Sequence, residues 1–258
     1  MNFALSPSAI FREMAAHDGS FQLFCSVAAK GEAQGGWEND RIASRTMDPL
    51  LAAKIARHGA DEHKHGRLFG ALLRKRGLDA IEVPADADYC MQLEEAGIGL
   101  SHARLRQDRP LTDEEILRYL VHSRVTEQRA FEEITQQEEV FRGDPELGKA
   151  VSLIARDEVE HLAYCHDELL RFREEGHGAF IDDLLHEYAK VEIRTYRDVS
   201  IAVMTRMGRL LGWSPLKQRV LRLGIHCLYW MERLWTWRRM TVLRPSQRSN
   251  PMGTPASA

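Results

Sequence analysis

GADEHKH (Gly59–His65) and IARDEVEH (Ile154–His161) share the pattern Asp-Glu-x-x-His. Extended outward, the two copies align without a gap. Asp48-Pro49, eleven residues and Asp61-Glu62-x-x-His65 match Asp144-Pro145, eleven residues and Asp157-Glu158-x-x-His161. In each copy the Asp can cap a helix and the Pro can open it, since a first-turn proline gives up no helical hydrogen bond. The duplication thus spans a helix from its cap to its chemistry. Glu and His three apart share one helix face. That face is also the apolar one: Ile55, Glu62, His65, Phe69 and Leu72 form one stripe, and Ile154, Glu158, His161, Cys165 and Leu169 the other. A carboxylate and an imidazole in a buried stripe are unfavourable unless neutralised, and a metal ion would neutralise them.

The surrounding pattern is helical nearly throughout. Ser20 is expected to cap a helix running to about Ser44, and Asp48 to cap one reaching Arg76 and stopping at Gly77. After a polar connector, LDAIEVPADAD (78–88), a shorter helix is expected over 89–107. Thr112 and Glu115 form a capping box that opens a helix to about Arg142. Asp144-Pro145 opens the next, to about Glu175 with Gly176 as its stop; two more are expected over 180–211 and 215–240, the latter capped by Ser214. Leu51, Ile55, Phe69, Leu72 and Leu73, then Leu147, Ala150, Val151, Ile154, Leu162, Cys165 and Leu169, recur at three- and four-residue spacing. Two long helical hairpins joined by a connector predict an all-α chain: an antiparallel four-helix bundle with additional C-terminal helices.

Each Asp-Glu-x-x-His helix should have an antiparallel partner that offers a residue at the same height. Glu62 and Glu158 lie about 21 Å past their caps at ~1.5 Å per residue. A similar distance back along the preceding helix reaches Glu32 and Glu127. Glu38 is too close to the turn, and Glu132 and Glu133 are displaced from the level of Glu127. The small residues Cys25, Ala28, Ala29, Gly35 and Gly36 leave room beside Glu32, whereas Glu127 stands among Leu120, Phe131 and Ile134. Glu32, Glu62, His65, Glu127, Glu158 and His161 then make up one Glu from each of two helices and one Glu-x-x-His from each of the other two. That is the ligand set of a carboxylate-bridged di-metal site, with two iron ions expected and a manganese–iron pair also compatible.

At this point the chain resembles the ferritin-like superfamily of di-iron carboxylate proteins. AAKGEAQG around Glu32 resembles the first-helix ligand region of rubrerythrins, and IARDEVEHLAY resembles the second metal-binding helix of acyl-carrier-protein desaturases. The resemblance covers about residues 20–175. It implies a ferritin-like di-metal bundle over residues 1–176, followed by a basic helical extension over 177–243 and a disordered tail over 244–258. In di-iron oxygenases and desaturases the acid before the ligand Glu hydrogen-bonds the opposite histidine. By that resemblance Asp61 would orient His161 and Asp157 would orient His65, and such a carboxylate fixes the tautomer of a ligating imidazole.

The remaining composition sets bounds. The chain has 258 residues, 44% of them hydrophobic, and a net charge of −3. Residues 201–258 hold ten Lys/Arg and one acid, Glu232, leaving 25 bases against 37 acids in the first 200. The basic segment reads first as helices packed on the bundle with arginines at the rim. A peripheral contact with anionic lipid or an acidic protein is the second reading, and no RNA-module pattern points to nucleic acid. Cys25, Cys90, Cys165 and Cys227 form no C-x-x-C pair, so no rubredoxin-type iron site or zinc ribbon can be drawn, and scattered thiols suit a reducing cytoplasm. No signal peptide or membrane span is expected. His58, His63, His102, His122, His166 and His186 have no partner set and read mostly as exposed; His58, one turn before Glu62, is set aside on the same ground. His186, Glu187 and Glu192 read as an ordinary polar face, and Arg156 and Glu160 as solvent-exposed.

The function expected is oxidation of a small organic or lipid-like substrate by dioxygen at a di-iron centre, fed by an external electron donor. Hydroxylation, desaturation, N-oxygenation and aldehyde deformylation stay open within it. The alternative is rubrerythrin-like peroxide scavenging or ferritin-like iron handling, and a bundle serving only as structure or membrane dock is a weaker third.

Overall fold

The computed structural model describes residues 5–243, and the regular elements among them are all helical. In chain order they are α1 (Pro7–Ala16), α2 (Asp18–Ala43), α3 (Pro49–Lys75), α4 (Tyr89–Glu95), α5 (His102–Leu105), α6 (Asp113–Phe141), α7 (Leu147–Phe172), α8 (Gly178–Leu210), α9 (Pro215–Met231) and α10 (Arg238–Thr241). Among the described residues no helix is long and apolar enough to cross a membrane. The expected disordered tail lies outside the described residues.

Local chemistry explains most boundaries. Asp48 accepts hydrogen bonds from the amides of Leu50 and Leu51, with Pro49 in the first turn of α3. The Thr112–Glu115 capping box is formed in both directions. Gly77 turns the chain after α3 with φ 67. Three expectations need correction. Ser20 caps nothing: its Oγ donates to the carbonyls of Met14 and His17, because α1, which the sequence reading missed, brings those carbonyls to it. Residues 89–107 do not form one helix, since Gly97 and Gly99 adopt φ 84 and 76 and separate α4 from α5. α7 begins at Leu147 rather than Pro145, although Asp144 still accepts from the amides of Glu146 and Leu147 at 2.9 and 2.8 Å. The stop expected at Gly176 is present: with φ 103 it leaves the helical conformation, and the chain kinks there into α8.

α2 and α3 run antiparallel in close contact. A Cβ at Gly66 would lie 3.3 Å from the Ala29 carbonyl, and one at Gly59 would meet Asn39. α6 and α7 pair likewise, tied by Tyr119–Tyr164 and Ser152–Glu138 hydrogen bonds. The hairpins meet along α3 and α7, where His58 bonds Tyr164 and His65 bonds Asp157. α8 packs on α6, and its Ile181, Leu184, Leu185 and Tyr188 join one core with Leu117 and Leu120.

Three apolar clusters result among the described residues, and two of them lie along α2, α3, α6 and α7. One contains Ile42, Ile55, Val125 and Leu169; the other contains Cys25, Phe69, Ile134 and Ala155. On α2, α3, α6 and α7 alike, the chain passes from one cluster to the other through a short polar interval. Those intervals hold Glu32, Glu62 and His65, Glu127, and Glu158 and His161, so the polar groups form a layer between two dry regions.

A second buried polar group lies outside that layer. Arg129 on α6 donates to both oxygens of Glu192 on α8 and to Glu232 after α9, with Tyr89 also donating to Glu192. Glu192 is fully buried, so the ordinary polar face expected there is corrected. The guanidinium is held well above its usual range by the two carboxylates.

Candidate metal centre

All six residues singled out by spacing lie in the layer. Glu158 and His161 are each 3% exposed, His65 is fully buried, and Glu127 is buried. His65 Nδ1 faces Glu32 at 3.3 Å and Glu158 at 3.7 Å. His161 Nδ1 lies 3.5 Å from both Glu62 and Glu158. Glu62 and Glu158, the two glutamates of the repeated motif, therefore each stand between the two histidines. Gly35 leaves space at this point: a Cβ there would lie 3.2 Å from a Glu62 oxygen.

The aspartates lie behind the histidines. His65 Nε2 donates to Asp157 at 2.9 Å, while His161 Nε2 lies 3.5 Å from Asp61, too long for a hydrogen bond. Lys64 bridges the two aspartates at 2.7 Å to each. Burial raises the Asp157 pKa, but Lys64 and His65 outweigh it and leave the carboxyl below its usual value. With Nε2 engaged by Asp157, Nδ1 is the ring nitrogen that His65 turns toward Glu32 and Glu158.

Sequence reading set His58 aside, and the structure corrects this. His58 is 3% exposed, stacked on His161 at a ring separation of 3.9 Å. Its Nε2 faces Glu62 at 3.2 Å and Glu127 at 3.1 Å, while Nδ1 bonds Tyr164 at 2.8 Å. Tyr164 continues to Tyr119, which donates to Asn39. The aligned position in the second copy is Ile154, so the repeat gave no signal for this residue. The signal lay in the stripe: His58 replaces a core residue and sits one turn from Glu62 on the same face. The other histidines set aside are also less exposed than expected. His63 pairs with Asp40 and His102 with Glu38, His122 and His166 are half-buried, and among these only His186 is exposed. Arg156 and Glu160 are exposed, as expected. Of the rejected acids, Glu38 serves His102, Glu132 serves Arg239, and Glu133 accepts from Tyr196.

Two groups of potential ligand atoms can be drawn, each with its atoms within 4.8 Å of one another: His58, Glu62, Glu127 and His161; and Glu32, Glu62 and His65. They share Glu62. The electrostatics of the protein alone are unbalanced. Burial and the charges of Glu62 and Glu158 push the Glu32 carboxyl well above its ordinary value. Burial and Glu158 do the same to Glu127. Glu62, favoured by His58 and His161 against its burial, falls to about 2. Buried side-chain atoms without a hydrogen-bond partner include His58 Nε2, His65 Nδ1, Glu158 Oε2 and both ring nitrogens of His161. Buried polar atoms seldom lack partners, and these five lie in or beside the groups that could hold a metal ion. Hard carboxylates with imidazoles fit a pair of first-row transition ions.

Comparison of the chain with family models, with curated proteins and with solved structures finds no match.

Proposed function

We propose that the protein is a ferritin-like di-iron carboxylate oxidoreductase that uses dioxygen to oxidise an organic substrate. In this reading α2, α3, α6 and α7 form the four-helix bundle of that superfamily. Glu32, Glu62, His65, Glu127, Glu158 and His161 hold the two ions, and His58 adds a third imidazole on the Glu127 side. The observation that carries the reading is the buried carboxylate–histidine layer with five unpartnered ligand-type atoms between two apolar clusters. When bound, the metal pair supplies redox chemistry and open coordination positions for dioxygen.

The protein's own groups then have separate tasks. Asp157 holds His65 with Nδ1 turned inward, and Lys64 holds Asp157. The Tyr164 hydroxyl fixes the ring of His58 and is itself held by Tyr119, which donates to Asn39, so a buried hydrogen-bonded chain sets the orientation of the imidazole. The apolar clusters on either side keep bulk water away, which strengthens every charge interaction inside. Peroxide scavenging, the alternative use of such a layer, is separated by stopped-flow mixing of the reduced, iron-loaded protein with dioxygen and with hydrogen peroxide. Faster oxidation by dioxygen is expected. Preferential turnover of peroxide without any organic substrate would contradict the oxidase reading.

A further inference from the structure

The last long helix, α9, presents an apolar face to solvent. On α9 and the wide turn after it (Glu232–Thr236), Leu216, Val220, Leu223, Cys227, Trp230 and Leu234 recur at alternating four- and three-residue intervals, so they lie on one side. Leu216 is 60% exposed, Leu223 62% and Trp230 55%, with Trp235 beside them at 66%. The opposite side, through Leu221, Ile225 and Tyr229, is the more covered one, and its Glu232 is buried against Arg129. Solvated helices seldom carry two exposed tryptophans and a continuous leucine line without a partner.

Charge selects the partner. Arg219, His226 and Arg233 follow one edge of the stripe at seven-residue intervals, with Arg222 a little further round. Arg219, Arg222 and Arg233 are exposed and make no salt bridge among the described residues. The one acid of residues 201–258, Glu232, is buried with Arg129 and Arg239. A second copy laid along the stripe would therefore set the arginines against each other, or against the opposite edge of Lys217, Gly224 and Met231, where the neighbouring carboxylate, Glu13, is already engaged by Lys217 and Trp213. An anionic bilayer surface receives both features: acyl chains take the leucines, the interfacial zone suits tryptophan, and lipid phosphates take the arginines.

We propose that α9 and the turn after it form a peripheral docking surface for anionic lipid, lying flat with the Leu216–Leu234 line inserted and the arginines at headgroup level. This goes beyond the oxidase reading and does not depend on it.

The test is flotation of the full chain with vesicles of phosphatidylcholine alone and of equal parts phosphatidylcholine and phosphatidylglycerol. Binding to the anionic vesicles is expected to exceed binding to the neutral ones by about tenfold or more and to weaken at ~1 M salt, where the screening length falls to about 3 Å. Leu223→Glu and the double substitution W230S/W235S should each abolish flotation, and R219Q/R222Q/R233Q should weaken it. These side chains are exposed, so helical circular dichroism should stay unchanged. Absence of flotation by the unaltered protein, or equal flotation of all variants, would overturn the proposal. A dimer in sedimentation that Leu223→Glu dissociates, without vesicle binding, would assign the stripe to a second copy instead.

Discussion

His58 serves both the metal-free protein and an ion. In the metal-free protein its Nε2 lies between Glu62 and Glu127, its Nδ1 bonds Tyr164, and its ring stacks on His161. With an ion present, the same Nε2 is placed beside Glu62 and Glu127 to bind it. His58→Ile, which installs the residue that the aligned position 154 already carries, leaves these buried groups without the imidazole and should lower the stability of the metal-free protein to urea. The same change should weaken iron binding by about 10–100-fold, as loss of a ligand or its support does. A variant that loses stability yet binds iron normally would make His58 a packing residue. Lys64→Met tests the support behind the histidines. It removes the cation shared by Asp61 and Asp157, and a loss of affinity on the order of tenfold is expected in a ferrous titration. Unchanged affinity would reduce Lys64 to a surface contact. Sequence reading found the six residues common to the two halves because the repeat doubled the signal. His58 and Lys64 break the repeat, standing opposite Ile154 and Glu160, and only the packed structure reveals what they face.

At the scale of elements, the helix starts were the most legible part, because capping is local chemistry: Asp48, Thr112 and Ser214 each accept from the first-turn amides as their types dictate. Glu115 gives this a measurable consequence. Its carboxylate bonds Arg104 and the Thr112 amide, which override its burial and lower it from 4.5 to about 2. The folded pKa lies below the unfolded one, so the stabilisation is complete above pH 4.5 and is lost as pH falls toward 2. Glu115→Ala should cost about 1–2 kcal/mol near neutral pH in urea unfolding, and the gap from the parent protein should close across that acid range. A gap that persists at the acid end would mean that the carboxylate charge contributes nothing. Helix ends that depend on partners were less legible. Ser20 fits the cap pattern, yet its hydroxyl is drawn to carbonyls that α1 supplies. Gly176 is legible as a stop because its left-handed φ breaks the helix there, whereas the kink that leads straight into α8 depends on the core that α8 joins.

Across the whole molecule, the polar layer between two apolar clusters is the feature from which the proposed function follows. The all-α class was legible because every long segment repeats its apolar residues at helical spacing. The Arg129–Glu192–Glu232 group was not, since it joins residues 63 and 103 positions apart on three elements. Nothing in the local pattern of Glu192 separates such a buried acid from a solvated one. The most direct measurement is the metal content of the protein after anaerobic loading with ferrous iron and desalting, taken for the parent chain and for Glu158→Ala, with circular dichroism as a check on folding. Glu158 faces both His65 and His161, so the expected result is about two ions per parent chain and at most one in the folded variant. One ion or none in the parent, or a folded Glu158→Ala protein that retains the full amount, would contradict the di-metal centre.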